Sequence, residues 1–343
     1  MFAVVYLHTA ARSLLSFELT AVWGFSNILT AIATPAVPLF FMLSGALLLH
    51  DERTEDISFL LRRRVPRLLV PLCVWSCLVL AYTAAAGDPA GALESLRVIL
   101  GTPVIVPYWF LYALIPIYLL SPLLKRLTDR LSPAHWNYMM GLWLCCSILL
   151  YTVRSFVPET WTASLTEHWT LNLDLVGGYL GYFLLGAYLE RLPKQPSRKV
   201  LWPAVIALLL VSIFGTRWDT YAHGAYSDRF TNYLSLFTCL LSAALFLLAR
   251  SYWGQKARAS KTLSLLSRCS FCVYLLHPLA LGLADKVLAH FTGAEVFSSI
   301  GQQLAVYVCV CLFCVAVSAL LSRLPVLAFL FTGRAAKSGL DKK

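Results

Sequence analysis

Charge is what this chain has least of. Lys, Arg, Asp and Glu together make up 13% of its 343 residues, and Asp plus Glu number only 17. A soluble globular surface needs roughly a quarter of its residues charged, so an ordinary soluble enzyme is excluded. Low-complexity linkers are also lacking, and so is any polar stretch long enough for a soluble domain. The amino terminus has neither a basic leader nor a small-residue cleavage site, so a cleavable signal peptide is not expected. All ten cysteines lie in apolar stretches rather than in polar loops, which argues against a disulfide framework. Cys269 and Cys272 have CxxC spacing but no second pair in reach, so they read as small apolar packing, and no metal is assigned.

Apolar runs fill the space that charge leaves: 59% of the residues are hydrophobic and the mean hydropathy is +0.71. Leu68 to Gly87, Val98 to Leu124, Phe230 to Ala249 and Val296 to Ser322 carry no charge and are each long enough to cross about 30 Å of hydrocarbon as a helix. Leu131 to Val153, Leu175 to Leu189, Val200 to Thr216 and Cys269 to Ala284 add four more. The uncharged stretch Leu19 to Leu49 is too long for one crossing, so its span is placed at Ala33 to Leu49, with the rest along the outer interface. Met1 to Leu15, interrupted by His8 and Arg12, is the shortest. The expected fold is all-α: a polytopic membrane protein of about ten transmembrane helices. It forms one domain over residues 1–325, followed by a short basic tail, 326–343.

Orientation follows from the basic residues. With both termini cytoplasmic, the inner loops and tail hold 22 of the 28 Lys and Arg and the outer side holds six. The formal net charge of +11 therefore reads as topology, with basic loops facing anionic headgroups, and calls for no nucleic-acid partner. Membrane lipids are the expected partner.

Ionisable groups inside hydrocarbon are costly, which makes them functional candidates. His8 lies in MFAVVYLHTAARSLL, and an imidazole is the usual proton acceptor for activating a hydroxyl; a plain hydrogen bond to a neighbouring helix is the other reading. The block Arg62, Arg63, Arg64, Val65, Pro66, Arg67 opens a span. Arginines gather at any inner helix end, yet Arg64 and Arg67, three apart, project on roughly one face and suit bidentate binding of phosphates. Pro66 fits a first helical turn, where no amide donor is lost. His277, before Pro278 and one turn after Tyr274, could make an interhelical hydrogen bond or touch substrate. Asp174, beside Asn172, could contact a sugar hydroxyl or be solvated. Tyr108, Trp109 and Tyr112 look like an interfacial aromatic belt. Ser44 and Gly45, ending PLFFMLSG, look like a close-packing pair.

VVYLH at the start, VPLFFMLSG, RRRVPRLLVP, YWFLYALIPIYLLSPLL and SFCVYLLHP resemble, in order and spacing, the acyltransferase family 3 integral membrane proteins over nearly the whole chain. The likeness is greatest to small members without an appended soluble domain, such as the O-acetyltransferase that modifies enterobacterial common antigen. The resemblance implies transfer of an acyl group, usually acetyl from acetyl-CoA, to a hydroxyl of a cell-surface glycan or its polyprenyl-linked precursor, in the bacterial cytoplasmic membrane beside glycan-assembly enzymes. It makes His8 the catalytic base and places the CoA phosphates on Arg64 and Arg67 with Arg63. His277, Tyr274 and Asp174 are then expected on the acceptor side. Direct attack and an acyl-histidine intermediate both remain open. The family also has a basic residue eleven places before the histidine; this chain has no such position, and the expectation is that its reading frame starts upstream of Met1. A transporter of a small acid or lipid-linked sugar is the alternative, weakened by the absence of an internal repeat and of paired broken helices.

Overall fold

The computed structural model describes residues 1–16, 18–158, 178–253, 260–293 and 297–334, and among them every regular element is helical. Seven helices are long and apolar enough to cross a membrane, and Phe2–Leu15 and Leu236–Tyr252 are shorter apolar helices. With Gly178–Arg191, each of the ten expected spans has its helix. The chain is a polytopic membrane protein.

The helix ends differ from the hydropathy reading wherever caps and prolines, rather than apolarity, set them. Ala21–Ala33 (α2) and Ala36–Leu48 (α3) follow α1 (Phe2–Leu15) and form one nearly continuous rod of 28 residues. The helix therefore begins at Ala21, not at Ala33. Thr20 caps it, its hydroxyl accepting from the Trp23 amide at 3.2 Å, and Trp23 is fully buried. Similarly, the span expected from Val98 is helical only from Val106, after a separate helix Pro89–Arg97 whose amino end Asp88 caps by accepting from the Gly91 amide at 2.8 Å. Pro103 and Pro107 remove the donors that a helix through this stretch would need. The helix around His277 is longer than expected, Lys261–Thr292, capped by Ser260 at one end and by Gly293 in the left-handed region at the other.

The chain divides into two compact units. The first comprises Met1–Thr9, Asp56–Pro122 and Arg258–Lys343. Its elements are the start of α1, α4 (Val65–Ala85), α5 (Pro89–Arg97), the start of α6 (Trp109–Arg130), and α12 (Lys261–Thr292), α13 (Ile300–Leu321) and α14 (Pro325–Thr332). Here α12 packs along α13, and α14 lies on α4. The Trp75 indole donates to the Phe331 carbonyl at 3.1 Å, and Gly333, at φ +66°, lets the end of α14 press on the Arg67 backbone, where any Cβ would overlap the carbonyl.

The second unit comprises Ala10–Glu55 and Leu123–Ala257. It holds α2, α3, α7 (Pro133–Trp143), α8 (Leu150–Phe156), α9 (Gly178–Arg191), α10 (Arg198–His223) and α11 (Leu236–Trp253). Its most extensive contact is α3 against α9, and two glycines make it. A Cβ on Gly45 would overlap the Phe183 carbonyl, and one on Gly186 would overlap the Met42 carbonyl, so the backbones touch reciprocally. The expected close packing at Gly45 is present. At the carboxyl end of α10 and just past it lies a polar knot. Asp219 is 1% exposed; its carboxylate accepts from Arg229 Nη1 at 3.1 Å and from the Ser227 hydroxyl, with His223 Nδ1 at 3.1 Å.

Candidate active site

The first unit brings His8 and His277 together. Their ring centroids are 5.3 Å apart and the planes are inclined by 38°. His8 sits on α1 among the buried Val4, Val5 and Thr9, and is itself half-buried. His277 sits at the middle of α12 and is fully buried. Counted from Lys261, it lies roughly 24 Å along its helix, well inside any hydrocarbon layer that helix crosses.

Pro278 explains how His277 is held. A proline in a helix interior has no amide hydrogen, so the carbonyl four residues back, Tyr274, loses its usual donor. The His277 ring supplies one: its Nδ1 lies 2.6 Å from that carbonyl oxygen. A carbonyl only accepts, so Nδ1 must carry the hydrogen, and Nε2 is left with its lone pair. Nε2 is buried and, among the described residues, has no hydrogen-bond partner. Leaving a buried acceptor unmatched costs about 1–3 kcal/mol, which marks the position as one where something binds or reacts.

Two tyrosines brace the same turn. The Tyr108 hydroxyl donates to the Leu275 carbonyl at 2.7 Å, and the Tyr274 hydroxyl donates to the Pro107 carbonyl. Tyr108 is fully buried, so it does not belong to an interfacial belt as its neighbours in sequence suggested. The adjacent Tyr112 hydroxyl donates to the Ile99 carbonyl at 2.6 Å. Sequence reasoning missed the role of Tyr108, although a signal was present: a proline in α12 implies backbone carbonyls that need outside donors. Cys269 and Cys272, with 1% and 0% exposure, fill the same helix as small apolar groups.

The arginines stand at the start of α4. Asp56 caps a single α-turn, Ile57–Phe59, its carboxylate accepting from the Phe59 amide at 3.1 Å; a π-turn over Leu60–Arg64 follows, and α4 begins at Val65 with Pro66 in its first turn. The wide turn falls where the Pro66 ring would crowd the carbonyl four residues back, at Arg62. Arg64 lies over the Phe59 ring at 5.3 Å. Arg62, Arg63 and Arg67 are exposed, and among the described residues none of the three pairs with a carboxylate. Cations without internal partners, next to loosened backbone, fit a phosphate ligand. Among the described residues, no hydrogen bond or ring contact joins these three to either histidine. Asp174 lies outside the described residues.

The fold and site define an all-helical membrane protein in which two histidines meet and exposed arginines stand at a helix entrance. Comparison with known families agrees: the acyltransferase domain of acyltransferase family 3 matches residues 1–323, and the chain belongs to that family. It is a membrane acyltransferase. No curated protein and no solved structure matches it.

Proposed function

We propose that this protein is an O-acetyltransferase of the bacterial cytoplasmic membrane, moving acetyl from acetyl-CoA to a hydroxyl of a cell-surface glycan or its polyprenyl-linked precursor. Common antigen is among the candidate acceptors, and the enzymes that assemble the glycan are the natural partners. The observation that carries this reading is the contact of half-buried His8 with fully buried His277 in a chain of an acyltransferase family. Arg64 and Arg67, with Arg63, bind the donor phosphates. His8 takes the proton of the acceptor hydroxyl as its oxygen attacks the thioester carbonyl; the C–O bond forms, the C–S bond breaks, and the proton passes to the departing thiolate. Burial excludes water, which would otherwise compete for the acyl group. Tyr274 and Asp174 are assigned to contacts with the acceptor.

The test uses protein reconstituted in lipid nanodiscs, reading thiol release from acetyl-CoA with and without glycan acceptor. His8→Ala abolishes turnover while the donor still binds; retention of half of wild-type turnover would refute the base assignment. Arg64→Ala and Arg67→Ala each remove a charge-assisted contact worth about 1.5–3 kcal/mol, so the donor KM rises roughly ten- to hundred-fold with kcat little changed.

A further inference from the structure

We infer that His277 is a positioning residue for His8: its unpartnered Nε2 accepts the ring N–H of His8 and so selects the His8 tautomer whose other nitrogen faces the acceptor hydroxyl. The inference rests on the reading of His8 as base and adds what makes that base competent. A neutral imidazole has one N–H and one lone pair, and a base that holds its lone pair toward the wrong side is inert. Catalytic histidines therefore need a group that receives the far N–H.

All links of such a chain but the last are formed, and the last is within reach. Pro278 strips the Tyr274 carbonyl of its helical donor, and His277 Nδ1 takes the vacancy at 2.6 Å. That bond sets the His277 tautomer and leaves Nε2 a pure acceptor, buried and unmatched. The nearest aromatic ring across the helix boundary is His8, with centroids 5.3 Å apart. An N–H···N bond joining two imidazoles puts their centroids roughly 5 Å apart, a heavy-atom separation of about 3 Å plus two ring radii. A rotation of the His8 side chain is enough to close it. His8 is the ring free to turn, being half-buried, whereas His277 is fully enclosed and tied to its own backbone. The Tyr108 hydroxyl on the Leu275 carbonyl steadies the same turn from the residue just before α6. The order of the relay is acceptor hydroxyl, His8, His277, Tyr274 carbonyl, with no carboxylate required.

Amide substitutions separate the two nitrogens. In His277→Gln the side-chain oxygen reaches the Nε2 position and can accept. His277→Asn keeps only the Nδ1 position, so it can donate to Tyr274 but offers nothing to His8. In nanodiscs, with thermal unfolding confirming that each variant folds, His277→Asn and His277→Phe are expected to lose roughly hundred-fold or more in kcat with donor KM within about twofold. His277→Gln should keep activity within about tenfold of wild type. Nitrogen-15 spectra of labelled imidazoles should show a single His8 tautomer in wild type and His277→Gln, and a mixture in His277→Asn. If Gln is as slow as Phe, or Asn as fast as wild type, the positioning role is overturned while the base reading stands. Full turnover by His8→Ala, run in parallel, would instead overturn the base reading and the positioning role with it.

Discussion

Asp219 offers the most direct test of how the second unit is held. Its carboxylate is 2% exposed and has Arg229, His223 and Ser227 around it. Replacing it by alanine leaves the Arg229 guanidinium with His223 Nε2 at 3.3 Å and the face of Phe156 at 5.9 Å. Breaking a buried ion pair from one side costs about 3–5 kcal/mol. Arg229 keeps 33% of its side chain accessible, so water recovers part of its solvation and the lower end, about 3 kcal/mol, applies. For a folded unit of this size that is roughly 6–12 °C in the unfolding midpoint. Cys239, 3% exposed in the same unit, serves as the reporter: a thiol-reactive fluorophore reads its uncovering as the detergent-solubilised protein is heated. Asp219→Asn retains an acceptor for Ser227 and should lose about half as much. A double-mutant cycle with Arg229→Ala should give a coupling of about 1.5 kcal/mol or more, within the range for residues in direct contact. A midpoint for Asp219→Ala within about 1 °C of wild type, or a coupling near zero, would show that the knot contributes nothing to the fold.

Pro278→Ala should lower turnover at least about tenfold while leaving thermal stability equal or higher, because alanine restores the helix bond to Tyr274 that His277 now makes, and a proline inside a helix is disfavoured by about 3 kcal/mol; the melting curve and kcat, measured together, check it, and an unchanged kcat would dissociate the proline from the chemistry. For topology, a single cysteine at Gln195 should label only from the cytoplasmic side and one at Ala225 only from outside, in a background lacking accessible thiols. Labelling of both from one side would break the ten-span arrangement.

The spans were legible because charge-free runs longer than about 18 residues have no other common use. Their ends were not, because hydropathy is blind to caps: nothing apolar distinguishes Thr20 from its neighbours, yet its hydroxyl starts α2 twelve residues before the expected span. Similarly, Val98 to Ile105 is as apolar as the helix it precedes, and only Pro103 within it and Pro107 just after it say that it cannot join it. Both histidines of the site stood out as ionisable groups in hydrocarbon. Their adjacency did not, since no spacing relates position 8 to position 277; it comes from the packing of α1 against α12, which a single sequence does not encode locally. The free Nε2 was in principle derivable from the His-Pro order, but whether Nδ1 turns back to its own helix depends on a rotamer that the local sequence does not set.

The reciprocal seat of Gly45 on Phe183 and Gly186 on Met42 gives the second unit a contact with an unusual temperature character. A soluble core is driven by release of water, a force that weakens on cooling. Two helices in hydrocarbon have no water to release; they hold by fit and by expelling lipid from a seam too narrow to admit a chain. That seam should therefore survive chilling that loosens water-driven cores, and what threatens it is a single added methyl group rather than cold.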